Sequence, residues 1–443
     1  MKVSGNHKLD SISPGGELAK KLVCVIFVLL VYRLGTYIPL PGVSLLILDD
    51  VVNEHQSKTI IGMVNVLTGG ALGRMSIFAL NIMPYISASV IVQLVTILYK
   101  EFGDLQKSGE AGRQKINQYS KYLCIILSLF QGYGIAMNIE LINYKGVPLI
   151  SDPGAYFRIM TTLTLMSGTL VVVWLADQIN VYGIGNGSSI IIFSGIVSGL
   201  LPALLSLLQM GRDNIITTQL VFLCGFSALM IVIFVTFIEK SSRKLLVQYP
   251  RKQIGNKIYV GNSTYLPIKI NVSGVMPPIF ANALLLFPTI ISAFYPSSRI
   301  VGWRRFIESN LSQGKPLYMF LYISLIIMFC FLYNTTVLNP EETAENLKKS
   351  GAVIIGRRPG DQTVKYLQYI LRRLTAIGAL YIGTVCAVPE IIAHKYNLSF
   401  YLGGTSILIV INVILEFASQ IQSHLLNSKY THLMHKANMT RRK

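Results

Sequence analysis

The chain has 443 residues, 52% of them hydrophobic and only 13% charged, against about 25% charged in an ordinary soluble domain. Its apolar runs are continuous and close to the length of a membrane helix. That makes it a polytopic all-α membrane protein and excludes a β-barrel, whose strands alternate over about 10 residues. A net charge of +19 suits either an acidic partner or the basic cytoplasmic loops that set topology.

The N-terminal stretch is polar, and the first apolar run ends at Tyr32-Arg33 without a small-residue cleavage site. It reads as a retained span and not a removed signal. Ten spans are expected, at 22–41, 76–98, 117–137, 159–176, 188–208, 217–238, 270–294, 317–337, 371–390 and 404–423. Just before the second, residues 60–74 are apolar but broken by Gly69, Gly70 and Gly73, and they carry Asn65 and Arg74. Facing lipid, those groups would be left unsatisfied, so the segment should line or block a protein interior.

With the N-terminus inside, the inner segments hold 28 of the 39 Lys and Arg and the outer segments nine. This bias places both termini in the cytoplasm. Ten spans then divide into five-helix halves, 1–208 and 217–443, of opposite orientation. That is an inverted repeat with its pathway between the halves, a pattern that secondary transporters share.

Two inner loops, 239–269 and 338–370, are longer than connectors need to be. In the first, extended runs flank Gly255-Asn256, a two-residue hairpin turn, and Pro250 marks the first run as an edge strand. The hairpin presents Arg251, Lys252 and Lys257. In the second, Asn339, Pro340 and Glu342 open a capped helix that Lys348, Lys349 and Gly351 close. The turn GRRPGD then exposes Arg357 and Arg358. Topology requires positive charge but not built elements to display it, so these loops point to docking of an acidic or RNA surface.

Five cysteines lie in apolar runs without metal or disulfide spacing, as buried small hydrophobes do. The spans offer Glu416, with Glu390 and Asp177 at span ends, and no nucleophile–base motif occurs. Neither an enzyme nor an ion-coupled transporter is expected from so few intramembrane carboxylates. Gly183, Gly185 and Gly187 lack the lysine of a phosphate loop and read as a close-packed helix entry. Ile82 and Ile86 lie four apart on one helical face with Pro84 between them, and Met276-Pro277-Pro278 opens the seventh span.

Five segments together resemble the SecY family of channel subunits of the bacterial Sec protein translocon. They are SIFALNIMPYISAS (76–89), EAGRQKINQY (110–119), YGIGNGSSIIIFSGIVSG (182–199), NPEETAENLKKSGAVIIGRRPGDQT (339–363) and YLGGTSILIVI (401–411). The resemblance extends over nearly the whole chain. It implies an hourglass channel for secretory and membrane polypeptides, with a lateral gate to membrane lipid, no cofactor and no catalysis. It further implies a midplane ring at Ile82, Ile86, Ile192, Ile279 and Ile409, a plug over 60–74, and gate residues Ser87 and Phe287. Arg358 corresponds to the family's main contact for the SecA motor or the ribosome, and SecE and SecG are the implied partners of a heterotrimer in the bacterial plasma membrane. The first loop departs from the family pattern, with Asn256 where a second basic residue is common.

Overall fold

The computed structural model describes residues 14–43, 70–71, 73–140, 143–144, 147–148, 150, 152–213, 217–249, 252–254, 257–259, 263–293, 315–337, 339–395 and 403–440. Its helices in chain order are α1 (Pro14–Gly35), α2 (Met83–Leu98), α3 (Lys100–Lys107), α4 (Glu110–Glu140), α5 (Ala155–Tyr182) and α6 (Gly187–Arg212). There follow α7 (Thr218–Lys240), α8 (Met276–Ala293), α9 (Pro316–Val337), α10 (Pro340–Lys349), α11 (Asp361–Lys395) and α12 (Gly404–Thr440). Leaving aside the short α3 and α10, each helix stands where a span is expected. Ala155–Tyr182, Val221–Lys240, Pro316–Asn334, Asp361–Ile392 and Gly404–Leu426 are each long and apolar enough to cross a bilayer unbroken. Apolar side chains from all ten long helices join in one contiguous core.

The contacts between the long helices can be taken as two sets of five. Among the first five long helices, α1 lies on α5 and α6, α2 on α4 and α5, and α5 on α4 and α6. Among the last five, α8 lies on α9, α9 on α11, α11 on α12, and α12 on α7. The two sets meet along one side through α8 against α2 and α4. Along the other they meet through α12 against α1 and α6, and α7 against α6.

The span expected at 76–98 is helical only from Met83. Residues 76–82 form tight turns, with Met75 at φ +43° and Asn81 at φ +50°. Phe78 stacks on Tyr32 of α1 with ring centroids 6.1 Å apart, and its ring fills the notch at Gly35, where a Cβ would come within 2.0 Å of it. A Cβ on Gly168 of α5 would likewise meet the Ile77 carbonyl at 2.2 Å. The segment is thus wedged between α1 and α5. Pro84, in the first turn of α2, sits where its missing N–H costs nothing. The span expected at 270–294 likewise becomes helical only at Met276, with two prolines in its first turn.

Between the helices the chain turns to strands. Apart from a minimal hairpin of β1 (Asn143–Tyr144) and β2 (Val147–Pro148), these are β3 (Ser242–Gln248), β4 (Lys252–Ile254), β5 (Lys257–Tyr259), β6 (Ser263–Lys269) and β7 (Val353–Ile354). In the β4–β5 pair Ile254 faces Lys257, and the turn expected at Gly255-Asn256 lies outside the described residues. β3 pairs with β6 on one edge and β7 on the other. It is therefore a central strand, not the edge strand expected from Pro250. The reason is position: β3 ends at Gln248, so the proline lies beyond its ladder. Leu245, Val247, Ile268, Ala344, Ile354 and Leu367 form a second core beneath this sheet. The Asn339 side chain accepts a hydrogen bond from the Glu341 N–H at 3.1 Å, capping α10, and Gly351 at φ +70° follows the helix end, as the sequence predicts.

Candidate functional site

The five isoleucines predicted as a ring all belong to the large apolar core that the ten long helices share. Ile82 is fully buried at the N-cap of α2, and Ile86 lies one turn further on. Ile192 of α6 and Ile409 of α12 are buried in the same apolar core, and Ile279 of α8 packs against it half-buried. Branching at Cβ stiffens each side chain, so the cluster offers a firm apolar surface and no group that would bind a passing solute. Among the described residues the only buried acidic or basic side chains are Glu239 and Glu390, near the C-terminal ends of α7 and α11 and not among the isoleucines.

The seam between α2 and α8 is lined by Val90, Gln93, Leu94 and Ile97 of α2, Phe280 of α8, and Phe329, Leu332 and Tyr333 of α9. Ser87 is buried on α2. Phe287 stands in the second half of α8.

Of the residues predicted for the plug, Asn65 and Gly69 lie outside the described residues. Gly70 takes φ +83°, and the Arg74 N–H donates to its carbonyl at 3.1 Å. The Arg74 guanidinium lies 4.4 Å from the centroid of the Tyr37 ring, and Arg33 lies 5.0 Å from it. Arg33 also donates to the Tyr37 hydroxyl at 3.1 Å and to Ser198 Oγ of α6 at 3.0 Å. A cation–π contact therefore joins Arg74 to the end of α1. Sequence reading missed Tyr37, which carries no signal beyond being an aromatic near a helix end.

In the loop after α10 Arg357 and Arg358 are exposed, in a turn with Gly356 at φ +80° and Gly360 at φ +107°. The turn is pinned by the Arg357 N–H donating to the Ile354 carbonyl at 3.1 Å and Thr363 Oγ1 donating to the Arg358 carbonyl at 2.9 Å. Arg357 also lies over the Tyr366 ring. Lys252 and Lys257 fall in β4 and β5, while Arg251 lies outside the described residues. The glycine-rich entry to α6 is close-packed as expected. Asn186 caps the helix by accepting from the Ser188 N–H at 3.1 Å, and a Cβ on Gly187 would meet the Ala176 carbonyl at 2.0 Å.

One polar group escaped the sequence. Glu239, one residue past the expected end of the sixth span, is buried in α7. Its Oε1 accepts from Asn271 Nδ2 at 2.6 Å and from the Tyr381 hydroxyl of α11 at 3.4 Å. A carboxylate at a run boundary, with a single amide 32 residues away as its main partner, has no local signature.

A SecY family profile matches residues 76–418. Protein translocase subunit SecY of Rickettsia bellii is 46% identical over 423 residues, covering 96% of this chain and 97% of that one. Among solved structures, a protein conducting channel aligns with a TM-score of 0.66 at 19% identity over 93% of each chain. Sec61 in the canine ribosome–channel complex from the endoplasmic reticulum aligns with a TM-score of 0.63 at 18% identity, again over 93% of each. At such identities the two structures speak for the fold alone.

Proposed function

This chain belongs to the SecY family, and we infer from that premise that it is the protein-conducting subunit of a bacterial translocase. It is a multi-pass protein of the bacterial inner membrane that passes unfolded secretory polypeptides across and membrane segments sideways into lipid. It is a channel and not an enzyme, so the driving force comes from a bound partner.

The observation that carries this reading is the apolar cluster holding Ile82, Ile86, Ile192, Ile279 and Ile409, formed by helices from both halves of the chain. Such a ring seals by denying an ion any replacement for its hydration shell. It also places no specific demand on the side chains that pass. The plug over 60–74 completes the seal, and α2 and α8, with Ser87 and Phe287, part to form the lateral gate. The halves 1–208 and 217–443 are inverted copies. What supports this is their matching order of contacts, together with the pairing of Met83-Pro84-Tyr85-Ile86 with Met276-Pro277-Pro278-Ile279 at the start of the two gate helices.

Both termini face the cytoplasm, as do Arg251, Lys252, Lys257, Arg357 and Arg358, which dock the SecA motor or the ribosome. SecE and SecG complete a heterotrimer. Placing a photo-crosslinker at Ile82 or Ile279 and stalling a secretory chain in transit tests the channel. Labelling of the chain at these positions is expected, and its absence from both would overturn the reading. Arg358→Glu is expected to impair docking and export while membrane insertion of the protein stays normal; unchanged export would remove Arg358 from the docking site.

A further inference from the structure

The turn that launches α8 is held by a single side chain. Asn271 is buried and makes four hydrogen bonds. Its Nδ2 donates to Glu239 Oε1 at 2.6 Å and to the Gly274 carbonyl at 3.1 Å. Its Oδ1 accepts from Ser273 Oγ at 3.2 Å and from the Gly274 N–H at 3.1 Å. Gly274 itself is at φ +61°, in the left-handed region that favours glycine.

The surroundings make this joint consequential. Pro277 and Pro278 stand in the first turn of α8 and contribute no N–H. Like Pro84 in α2, they stand where a helix leaves its N–H groups unbonded, so the polar bonds that lead into α8 are those of the turn before it. Upstream, Ile270 follows β6 directly, and its N–H donates to the Ser241 carbonyl at 3.2 Å, just past α7. A Cβ on Gly378 of α11 would come 3.4 Å from the Ile270 carbonyl, so α11 closes tightly over the same point. Asn271 therefore fastens the start of α8 to α7 through Glu239, and Tyr381 ties α11 to the same carboxylate.

We propose that Glu239 and Asn271 are positioning residues for the gate: their hydrogen bond fixes the angle at which α8 meets α2, and so the resting width of the seam between them. The proposal rests on the reading of α2 and α8 as the gate, and it concerns their spacing at rest, which can be measured without any passing chain.

The test exploits the chemistry of the pair. Asn271→Asp keeps the acceptor that serves Ser273 and the Gly274 N–H, but it removes the donor to Glu239 and to the Gly274 carbonyl, and it sets two carboxyl groups face to face. Glu239→Gln alone keeps an acceptor for Asn271. Combining the two restores one donor and one acceptor with their roles exchanged, because the amide introduced on α7 then donates to the carboxylate introduced before α8. Spin labels at Ile91 of α2 and Leu284 of α8, both exposed, report the seam in a cysteine-free version of the full chain in its native complex in lipid. Asn271→Asp is expected to shift or broaden the distance distribution. Glu239→Gln should leave it as in the parent, and the double variant should return it to the parent's. The inference is overturned if Asn271→Asp leaves the distance unchanged, or if the double variant keeps the single variant's distribution. General damage to the fold would not be repaired by a second substitution at Glu239. Photo-crosslinking at Ile82 and Ile279 judges the channel reading separately, since a chain can pass or fail to pass whichever way this distance moves.

Discussion

The lead-ins to α2 and α8 do the same job by opposite means. Each is a non-helical stretch ending in Met-Pro with an isoleucine one turn on, and each delivers its helix to the seam between the halves. The first is held by shape: Phe78 in the notch at Gly35, Ile77 against Gly168, and positive φ at Met75 and Asn81. The second is held by polar bonds centred on Asn271 and Glu239. A lead-in gripped by close packing cannot shift by small amounts, since interiors rearrange discretely. One gripped by hydrogen bonds can exchange partners. The contrast suggests a gate with a fixed post and a hinged leaf, α2 being the post and α8 the leaf.

Substitutions can break this contrast. The largest effect is expected from Phe78→Ala, which empties the notch beside Tyr32 and should cost about 3–5 kcal/mol, read as a lowered thermal midpoint of the purified protein. A cost below about 1 kcal/mol, the level of a volume-conserving swap, would mean the first lead-in is not held by packing. Gly168→Ala sharpens the point, since it adds one methyl group yet drives it into the Ile77 carbonyl; a cost of about 1–3 kcal/mol is expected from overpacking. On the other side, Asn271→Ala leaves Glu239 buried without its closest partner and should cost about 1–3 kcal/mol, with a matching fall in midpoint. Tyr37→Leu removes the ring on which Arg74 lies and should cost only about 0.5–1 kcal/mol, best read by a double-mutant cycle with Arg74→Gln.

The smallest effect concerns the ion pair between the end of α4 and the start of α5. Arg158 Nε lies 2.5 Å from Glu140 Oε2, and its Nη2 donates to Oε1 at 3.1 Å. This hydrogen bonding holds the Glu140 carboxyl below the usual carboxylate range. Because its folded pKa is the lower one, the pair stabilises the protein above the ordinary carboxylate range, and that contribution is lost as the pH falls through the folded value. Acid titration of the thermal midpoint should show a step that Arg158→Gln flattens.

Much of this was legible in the sequence because it is local. Ten apolar runs, the Asn339 cap with its proline, the pairing of β4 with β5 and the GRRPGD turn each carry their signal within a few residues. What escaped is nonlocal. Hydropathy continues unbroken from Ser76 through Leu98 and cannot reveal that residues 76–82 fold into turns against α1 and α5. β3 looked like an edge because Pro250 follows it closely, and its second partner, β7, lies about a hundred residues away. Glu239 was passed over because the apolar run stops one residue before it.

The short pairing of β7 with β3 has one more consequence. Val353 and Ile354, three residues before Arg357, are hydrogen-bonded to the same strand whose other edge carries β6. The turn bearing Arg357 and Arg358 is therefore tied to the same strand, β3, from which the chain departs toward the β4–β5 hairpin bearing Lys252 and Lys257. For any partner that grips both, the second contact forms within an existing complex, at an effective concentration set by the short lengths of chain that join the hairpin to β3 and β6. Two modest footholds then act as one strong one.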